Sequence, residues 1–254
     1  MDSPRAHVRV MTWNIHGGGP SRRKRDLHRV VRLVRRHAPD IIALQEIDAR
    51  RRKGWGEPAF EFLKEALGAH SAEARVIAGP DGDYGHAIIS RWPMRDVVFH
   101  DVSFGRHEPR AALEATVETP FGELHVVAAH LGLRFRERRH QAALLARLGR
   151  VGPPQSIMLG DFNDWVWRGS VQCALAVCMD ERTHHKTFPA WLPALALDRI
   201  YCRPAGILVR SWTDPEARLS SDHLPVIADL SLGNSGTGSA KHAAPRLRVP
   251  EPAH

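Results

Sequence analysis

Residues 156–164 read SIMLGDFND, and this stretch decides the expected fold. Residues 156–159 are apolar enough for a buried β-strand, which runs through Gly160 directly into Asp161 and Asn163. A strand that ends in a carboxylate and an amide is typical of a sheet edge that carries a ligand site. Asp161 and Asn163 are two positions apart, so on an extended segment both side chains face the same side.

The same change from apolar to polar recurs along the chain. The polar residues at the other predicted strand ends are Asn14, Glu46, His130, Asp198 and the pair Asp222-His223. Each alone has a purely structural explanation, such as a turn residue, a helix cap, an Asx turn, a core histidine or a surface ion pair between Asp198 and Arg199. Because all of these polar residues lie at predicted strand ends, we expect their side chains to meet at one edge of a sheet.

Hydrophobic spacing outlines the elements between these ends. It predicts helices over residues 26–38, 58–67, 136–148 and 170–177. Apolar or alternating runs predict strands over residues 7–13, 41–44, 75–79, 87–90, 112–118, 123–129, 156–159, 198–202, 207–212 and 226–230. Strands that alternate with a few helices and include a hairpin predict mixed sheets in a sandwich with helices outside.

Length and composition favour one large domain over residues 7–232. An α/β domain of roughly 220–250 residues takes up nearly the whole chain. Residues 1–6 are expected to be flexible, and the Gly-, Ser-, Ala- and Pro-rich segment 233–254 is expected to be a disordered tail. The ordinary share of hydrophobic residues, 43%, excludes a chain that is disordered throughout.

Cysteine usage and charge suggest the compartment and the partners. The three cysteines cannot all pair, and neither a signal peptide nor a transmembrane segment is recognisable, so we expect a cytoplasmic monomer. Lys and Arg number 36 against 28 Asp and Glu, a net charge of +8. That balance favours a polyanionic partner, or serves only solubility.

The polar set is suited to phosphate chemistry assisted by a divalent cation. Glu46, Asn14 and Asp222 offer the hard oxygen ligands that Mg²⁺ or Mn²⁺ prefers. Because Asp222 cannot face the same way as its neighbour His223, Asp198 is the candidate carboxylate that orients this imidazole. A second imidazole, His130, can donate to a phosphoryl oxygen or protonate a leaving group.

Seven motifs in the right order resemble the endonuclease/exonuclease/phosphatase superfamily. That group includes deoxyribonuclease I, exonuclease III-like repair nucleases, neutral sphingomyelinases and inositol polyphosphate 5-phosphatases. The motifs are TWNIHG (12–17), LQE (44–46), IISRWP (88–93), AAHLGL (128–133), GDFND (160–164), LDRIY (197–201) and SDHLPV (221–226). The resemblance spans roughly residues 7–232. It implies a four-layer α/β sandwich, with two mixed sheets face to face and helices outside, and a Mg²⁺-dependent hydrolase of phosphoesters.

The resemblance also implies roles for the motif residues. Glu46 would be the principal metal ligand, with Asn14 beside it and Asp222 as a further metal-side carboxylate. Asp161 would orient or deprotonate the attacking water, and Asn163 would hold that water or the scissile phosphate.

The histidines have related roles in this resemblance. His223, oriented by Asp198, would contact the phosphate, and His130 resembles the phosphate-contacting histidine of deoxyribonuclease I-like members. No acidic partner for His130 is identifiable, since Tyr84 and His86 occupy about the region where it would lie. Arg110 and His16 are further candidates for the substrate phosphate, and His86 is a site candidate by position; a surface role for Arg110 is equally open.

The substrate is left open between two kinds of phosphodiester. A nuclease would use the basic runs at residues 22–25 and 50–53, and Trp165 and Trp167, to hold nucleic acid. For the tryptophans the structural alternative is packing within a loop, and for the basic runs it is a solvated face.

A phosphodiesterase acting on a phospholipid head group would instead place these tryptophans, with Trp191 and Leu192, in a bilayer interface. The related alternatives are a phosphomonoesterase acting on a small molecule and a non-catalytic binding module of the same fold. The intact polar set argues against the binding module. We expect a phosphodiesterase that works by in-line attack of water.

Overall fold

The computed structural model describes residues 7–20, 25–50, 58–166 and 169–233. The first half of the described chain carries β1 (Val8–Asn14), α1 (Leu27–His37), β2 (Ile41–Asp48), α2 (Ala59–Leu67), β3 (His70–Ile77), β4 (Tyr84–Ser90), β5 (Met94–Asp101) and β6 (Ala111–Thr119). The second half carries β7 (Gly122–His130), α3 (Phe135–Val151), β8 (Ser156–Asp161), α4 (Ser170–Leu175), β9 (Glu181–Arg182), β10 (Asp198–Arg203), β11 (Leu208–Trp212) and β12 (Val226–Leu230). Single 3₁₀ turns form at His16–Gly18 and Pro215–Leu219. In these ranges no helix is both long and apolar enough to cross a bilayer.

The strands form two six-stranded mixed sheets. The first sheet has the order β11-β12-β1-β2-β4-β3, and the second has the order β5-β6-β7-β8-β10-β9. Each sheet contains one parallel pair near its centre, β1 with β2 and β7 with β8, and its other neighbours are antiparallel. The expectation of mixed sheets is confirmed.

Alternation along the strands builds three cores and four layers. Val10 of β1 and Leu159 of β8 face each other's sheets in the central core. Trp13 faces the opposite way, toward α1 and α2, in a second core. Val127 of β7 packs under α3 and α4 in a third. The predicted four-layer α/β sandwich, with helices outside two packed sheets, is therefore correct.

Local sequence explains where α1 begins and ends. The Asp26 carboxylate caps α1 by accepting a hydrogen bond from the Arg29 N–H, and the helix ends at Ala38, in the left-handed region before Pro39. The valines and Leu33 of α1 are buried against the first sheet, and its arginines lie on the outer side.

Some predicted boundaries differ from the structure. Strand β5 was not predicted, because nearly every residue in it is exposed and it shows no hydrophobic alternation. Strand β3 begins at His70 rather than at residue 75, and β2 continues past Leu44 to Asp48. The predictions for residues 1–6 and for the tail from residue 234 fall outside the described residues.

Candidate active site

Polar side chains continue the central core at one edge of both sheets. Apolar residues at every second position of β7 and β8 face the first sheet, and His130 and Asp161 are the next residues in that alternation. The same alternation points Asn14 of β1, Asp198 of β10 and His86 of β4 into the space between the sheets. All five are almost fully buried. The period-two pattern therefore brings together three strand ends, the start of β10 and the third residue of β4 in one polar cluster.

Strand register aligns three of these residues in a row. In the second sheet His130 pairs with Asp161, and Asp161 pairs with Asp198. Gly160 allows the close approach of β7 and β8 here, because a Cβ at this position would lie 1.8 Å from the Ala129 carbonyl oxygen and its φ is +151°. The row fixes the spacing of an imidazole and two carboxylates without any loop.

Asp161 is at the centre of the cluster. Its Oδ2 atom accepts a hydrogen bond from Nδ2 of Asn14 at 3.0 Å. The Nε2 atoms of His130 and His223 lie 3.6 and 3.9 Å from the same oxygen. The other oxygen, Oδ1, accepts the backbone N–H of Asn163. The imidazoles of His130 and His223 thus lie near a carboxylate oxygen that also accepts a hydrogen bond from the Asn14 amide.

Glu46 reaches the cluster because β2 is irregular. Leu44 and Ile47 both pack under the helices although they are three residues apart, and the register of β2 against β4 shifts between them. Glu46, in the left-handed region with φ of +55°, is part of this bulge. In a regular strand its side chain would share the helix-facing side with Leu44. Instead Oε1 accepts a hydrogen bond from Nδ2 of Asn14 at 2.8 Å.

Asn163 differs from the extended conformation that the sequence suggested. Its φ is +51°, and its backbone N–H closes an Asx turn onto Asp161. The side-chain Nδ2 donates to the Leu131 carbonyl at 2.9 Å, so this loop is tied to the loop that follows β7. Since the amide nitrogen is engaged, the oxygen Oδ1 is the atom available to water, and it can only accept.

His223 is oriented from both sides. Its Nδ1 lies 2.8 Å from Oδ2 of Asp198, which is completely buried, so the alternative of a surface pair between Asp198 and Arg199 does not apply. The indole of Trp13 donates to the carbonyl of His223 at 2.9 Å. Ser221 accepts the His223 N–H and donates its hydroxyl to the Asn14 carbonyl. Sequence reasoning did not find this role of Ser221, although it opens the SDHLPV motif.

Burial and neighbouring charge give the groups different protonation states. Burial, followed by the nearby Asp198, raises the pKa of Asp161 to about 7. Burial alone would lower the pKa of His223, but the carboxylates of Asp198 and Asp161 outweigh it and raise this pKa to about 10. In contrast, burial and then the charge of Arg110 hold the pKa of His130 well below its usual value. The site therefore contains one imidazolium and one neutral imidazole.

The partner of His130 is an arginine rather than an acid. Nη1 of Arg110 lies 3.0 Å from Nδ1 of His130 and 3.0 Å from Oε1 of Glu108. Arg110 is buried beside this imidazole, about as deeply as His130 itself, and its contact with the substrate phosphate stays a prediction. His86 lies beside them, and burial, followed by Arg110, lowers its pKa to about 4. No local pattern marks this pairing, which joins the residue before β6 to the last residue of β7.

Two groupings of the acidic residues are compatible with a cation. Among the described residues, Asp161, Asp198 and His223 place one ligand atom each within 4.8 Å of one another. Because Nδ1 of His223 is already bonded to Asp198, we interpret this trio as a carboxylate–imidazole–carboxylate chain. The second grouping is Glu46, Asn14 and Asp222, whose oxygen donors match Mg²⁺ or Mn²⁺.

Asp222 has a feature that fits a cation. Its Oδ1 is buried without a hydrogen-bond partner, 3.4 Å from Nδ1 of His16, whose own φ is +45°. A bound divalent cation would satisfy such an orphaned carboxylate oxygen. The residues present therefore fit the metal ion that the sequence suggested, and they place His16 at the edge of this group.

The tryptophans are divided between loops. Trp165 is partly exposed, and its ring lies 4.3 Å from the guanidinium carbon of Arg138. Trp191 is far more exposed. Trp167 falls outside the described residues.

Comparison with known proteins agrees with this geometry. The model of the Endonuclease/Exonuclease/phosphatase family matches residues 11–223. The chain belongs to this family. This family member is 32% identical over 248 residues to the protein YbhP of Escherichia coli K12, across 88% of this chain and 96% of YbhP.

Solved structures share the family fold. One is an endonuclease/exonuclease/phosphatase from Beutenbergia cavernae, with a TM-score of 0.71 and 23% identity, covering 90% of this chain and 72% of the other. Another is D. rerio TDP2 in complex with a single-strand DNA product, with a TM-score of 0.61 and 16% identity, covering 89% of this chain and 99% of the other. At these identities the likeness shows the fold.

Proposed function

We propose that this family member is a divalent-cation-dependent phosphodiesterase that hydrolyses its substrate by in-line attack of water. The observation that supports it most is the Asp161 carboxylate with the Nε2 atoms of His130 and His223 at 3.6 and 3.9 Å. In such an arrangement the carboxylate accepts one proton, and the two imidazoles contact the oxygens of one phosphoryl group.

Asp161 is the proposed general base. Its raised pKa, about 7, makes it a base that is ionised in part at neutral pH and accepts a proton from water with little penalty. Oδ1 of Asn163 accepts a hydrogen bond from the same water and fixes its position, because the Asn163 amide nitrogen is engaged by Leu131.

The two imidazoles act differently on the phosphoryl oxygens. His223, a cation held by Asp198, donates a charged hydrogen bond from Nε2 to a non-bridging oxygen as negative charge develops there. His130 donates from its Nε2 as a neutral imidazole, since its Nδ1 accepts from Arg110. Of the two roles open to His130, donation to the phosphate is therefore favoured over protonation of the leaving group.

Glu46, Asp222 and Asn14 are the residues that would hold Mg²⁺ or Mn²⁺. Such a cation, when bound, neutralises charge on the phosphoryl group and stabilises the leaving oxygen. The strained backbone of Glu46, with φ of +55° in a bulge, supports a functional reason for the position of its carboxylate. The substrate class we propose is a phosphodiester of nucleic acid or of a phospholipid head group.

The test is hydrolysis of bis-p-nitrophenyl phosphate by purified protein with Mg²⁺, with Mn²⁺ and with EDTA. We expect turnover that requires the cation and that needs a higher Mg²⁺ concentration in Glu46→Gln. The matched control Glu65→Gln, on the exposed side of α2, retains the wild-type requirement. Turnover that persists in EDTA contradicts the cation requirement, and turnover of p-nitrophenyl phosphate alone indicates a monoesterase.

A second panel distinguishes the substrates. Plasmid DNA, RNA, and vesicles of sphingomyelin or phosphatidylinositol phosphate are offered to the same preparation. Hydrolysis of any diester supports the proposal and identifies the class. No turnover of any phosphoester contradicts it and favours a binding module.

A further inference from the structure

We propose that this protein docks on the surface of an anionic lipid bilayer through an apolar rim around the site described above. The inference rests on the proposed function, because it names the surface on which the diester would be presented. It concerns residues that lie outside the catalytic cluster and whose side chains neither the site nor the core uses.

The strand register brings the rim segments to one edge. His130, Asp161 and Asp198 form a row across β7, β8 and β10. The loop after His130, the loop after Asp161 and the segment before Asp198 therefore all leave the second sheet at the edge where the site opens. Ala190 of that last segment is hydrogen-bonded through its N–H to the carbonyl of Asp222, so it also adjoins the first-sheet side of the site.

These three segments expose large apolar side chains. The apolar rim consists of Leu133 and Phe135 from the first segment, Trp165 and Val166 from the second, and Trp191 and Leu192 from the third. Trp191 is 74% exposed and Leu133 and Leu192 are each 62% exposed. Apolar groups this exposed are ordinary when scattered, but six from adjacent loops around one opening mark an interaction surface.

Unpaired cations lie between these apolar side chains. The sequence Leu133-Arg134-Phe135-Arg136 alternates apolar and cationic residues, and all four side chains are exposed. Within the described ranges no carboxylate forms an ion pair with Arg134, Arg136 or nearby Arg139, whereas other exposed arginines such as Arg75 are paired. The rim therefore carries positive charge that is not neutralised by the protein itself.

Two cations lie beside the third segment as well. A depression of about 500 Å³ next to Trp191 is lined in part by Lys186 of this segment and by Arg218 of the 3₁₀ turn Pro215–Leu219. Arginine and lysine beside apolar side chains match an anionic head-group layer, in which the cations meet phosphates while the apolar groups enter the acyl boundary.

The composition of the rim favours a bilayer over nucleic acid. Tryptophan and phenylalanine serve either partner, because they stack on bases as well as enter an interface. Leu133, Val166 and Leu192 cannot stack on bases. Transfer of their apolar surface from water into an acyl boundary is favourable. A bilayer therefore accounts for the exposure of three of the six rim residues that a polynucleotide would leave unexplained.

The test is flotation of the full-length protein with phosphatidylcholine vesicles, with and without phosphatidylglycerol, at low and high salt. We expect binding to the anionic vesicles that weakens as salt rises. Phe135→Ser and Leu192→Ser should each weaken binding by about tenfold, the effect of losing one buried apolar side chain. Arg136→Glu combined with Arg139→Glu should abolish the preference for phosphatidylglycerol.

Matched controls come from the opposite end of α3. Val151→Ser removes an even more exposed apolar side chain and Arg147→Glu reverses an exposed charge, both away from the rim, and neither should change binding. Thermal unfolding of each variant at the wild-type temperature checks that the fold is intact.

The outcomes separate this inference from the proposed function. Wild-type protein that hydrolyses a soluble diester but does not float with anionic vesicles overturns the inference alone. Protein that floats but hydrolyses no diester overturns the proposed function alone. Rim variants that bind vesicles as tightly as Val151→Ser also overturn the inference. Rim variants that lose affinity for single-stranded DNA, in a wild type that ignores vesicles, assign the rim to nucleic acid instead.

Discussion

Nη1 of Arg110 lies 3.0 Å from Nδ1 of His130, on the side of the imidazole opposite the Nε2 atom that faces Asp161. A guanidinium has only donors, so Nδ1 must be the acceptor and the imidazole proton must be on Nε2. The position of one buried arginine therefore fixes the tautomer of His130 and aims its N–H at the centre of the site.

Replacing this arginine should change the protonation of His130. In Arg110→Met we expect the pKa of His130 to rise, because one of the charges that hold it down is removed. Burial and the neighbouring His86 should keep it below the usual histidine value. The measurement is a ¹H–¹⁵N NMR titration of the imidazole nitrogens in the metal-free protein. Arg106→Gln, an exposed arginine in the same loop, is the control and should leave the titration unchanged.

Replacing the carboxylate behind His223 should have the opposite effect. In Asp198→Asn the pKa of His223 should fall from about 10, since Asp198 is the foremost of the charges that raise it. If imidazolium is the active form, wild-type activity persists as pH rises to about 10, and the alkaline limb of the kcat/KM profile moves to lower pH in the variant. An alkaline limb at the same pH in both proteins would show that His223 does not act as a cation.

A separate ion-paired group on the outer side of the second sheet predicts a stability effect. Glu114 of β6 accepts from Nε2 of His100 at 2.5 Å and from Nε2 of His125 at 2.6 Å, and these bonds lower its pKa from 4.5 to about 2. A lowered pKa stabilises the fold above the unfolded value of 4.5, and this stabilisation is lost as pH falls toward about 2.

Glu114→Gln should therefore reduce the free energy of unfolding at about pH 5 by about 1–2 kcal/mol, less than the full shift implies because solvent screens a half-buried pair. The difference from wild type should shrink as the pH is lowered below 4.5. Urea unfolding at several pH values measures it. Glu123→Gln, an exposed carboxylate on the same hairpin, should show little effect, and an equal loss in both variants would contradict the assignment.

The second aspartate of the GDFND motif is predicted to be structural. Oδ2 of Asp164 accepts the backbone N–H groups of Val171 and Gln172 at 3.1 Å each, and so it caps α4 from a loop several residues away. Asp164→Ala should destabilise the protein by about 1–2 kcal/mol, as the loss of a helix cap does. Asp164→Asn retains one acceptor and should lose less. Denaturation midpoints that are the same in all three proteins would show that Asp164 is not a cap.

Most of the architecture followed from the period-two pattern of apolar residues. The central strands β1, β7, β8 and β12 are buried on both faces for most of their length, so they are rich in apolar residues and their positions are predictable. Strand β5 lies at the edge of the second sheet with its side chains in solvent, and a register shift beside Asp96, whose φ is +51°, interrupts it. Nothing in the local sequence of such an edge distinguishes it from a loop.

The candidate site was predictable where it follows strand ends, and not where it depends on register or on irregular backbone. Asn14, His130, Asp161 and Asp198 are the polar residues that continue or begin buried alternation, so their convergence could be expected. The inward turn of Glu46 depends on a bulge that the sequence does not mark.

The contact of Arg110 with His130 depends on the pairing of β6 and β7, which brings together residues that are twenty positions apart. The hydrogen bond from Ser221 to Asn14 is unpredictable for the same reason, because the pairing of β1 with β12 joins opposite ends of the chain.

The central claim is that Asp161 activates the water that attacks the phosphodiester. The most direct measurement is kcat for bis-p-nitrophenyl phosphate with saturating Mg²⁺ in Asp161→Asn, compared with Asp180→Asn, an exposed aspartate near the opposite end of β10. The asparagine at position 161 retains an acceptor for Asn14 but cannot take a proton, so kcat should fall by about a hundredfold or more, while Asp180→Asn should match wild type. A kcat in Asp161→Asn within about twofold of wild type, well short of the loss expected for a general base, would contradict the claim.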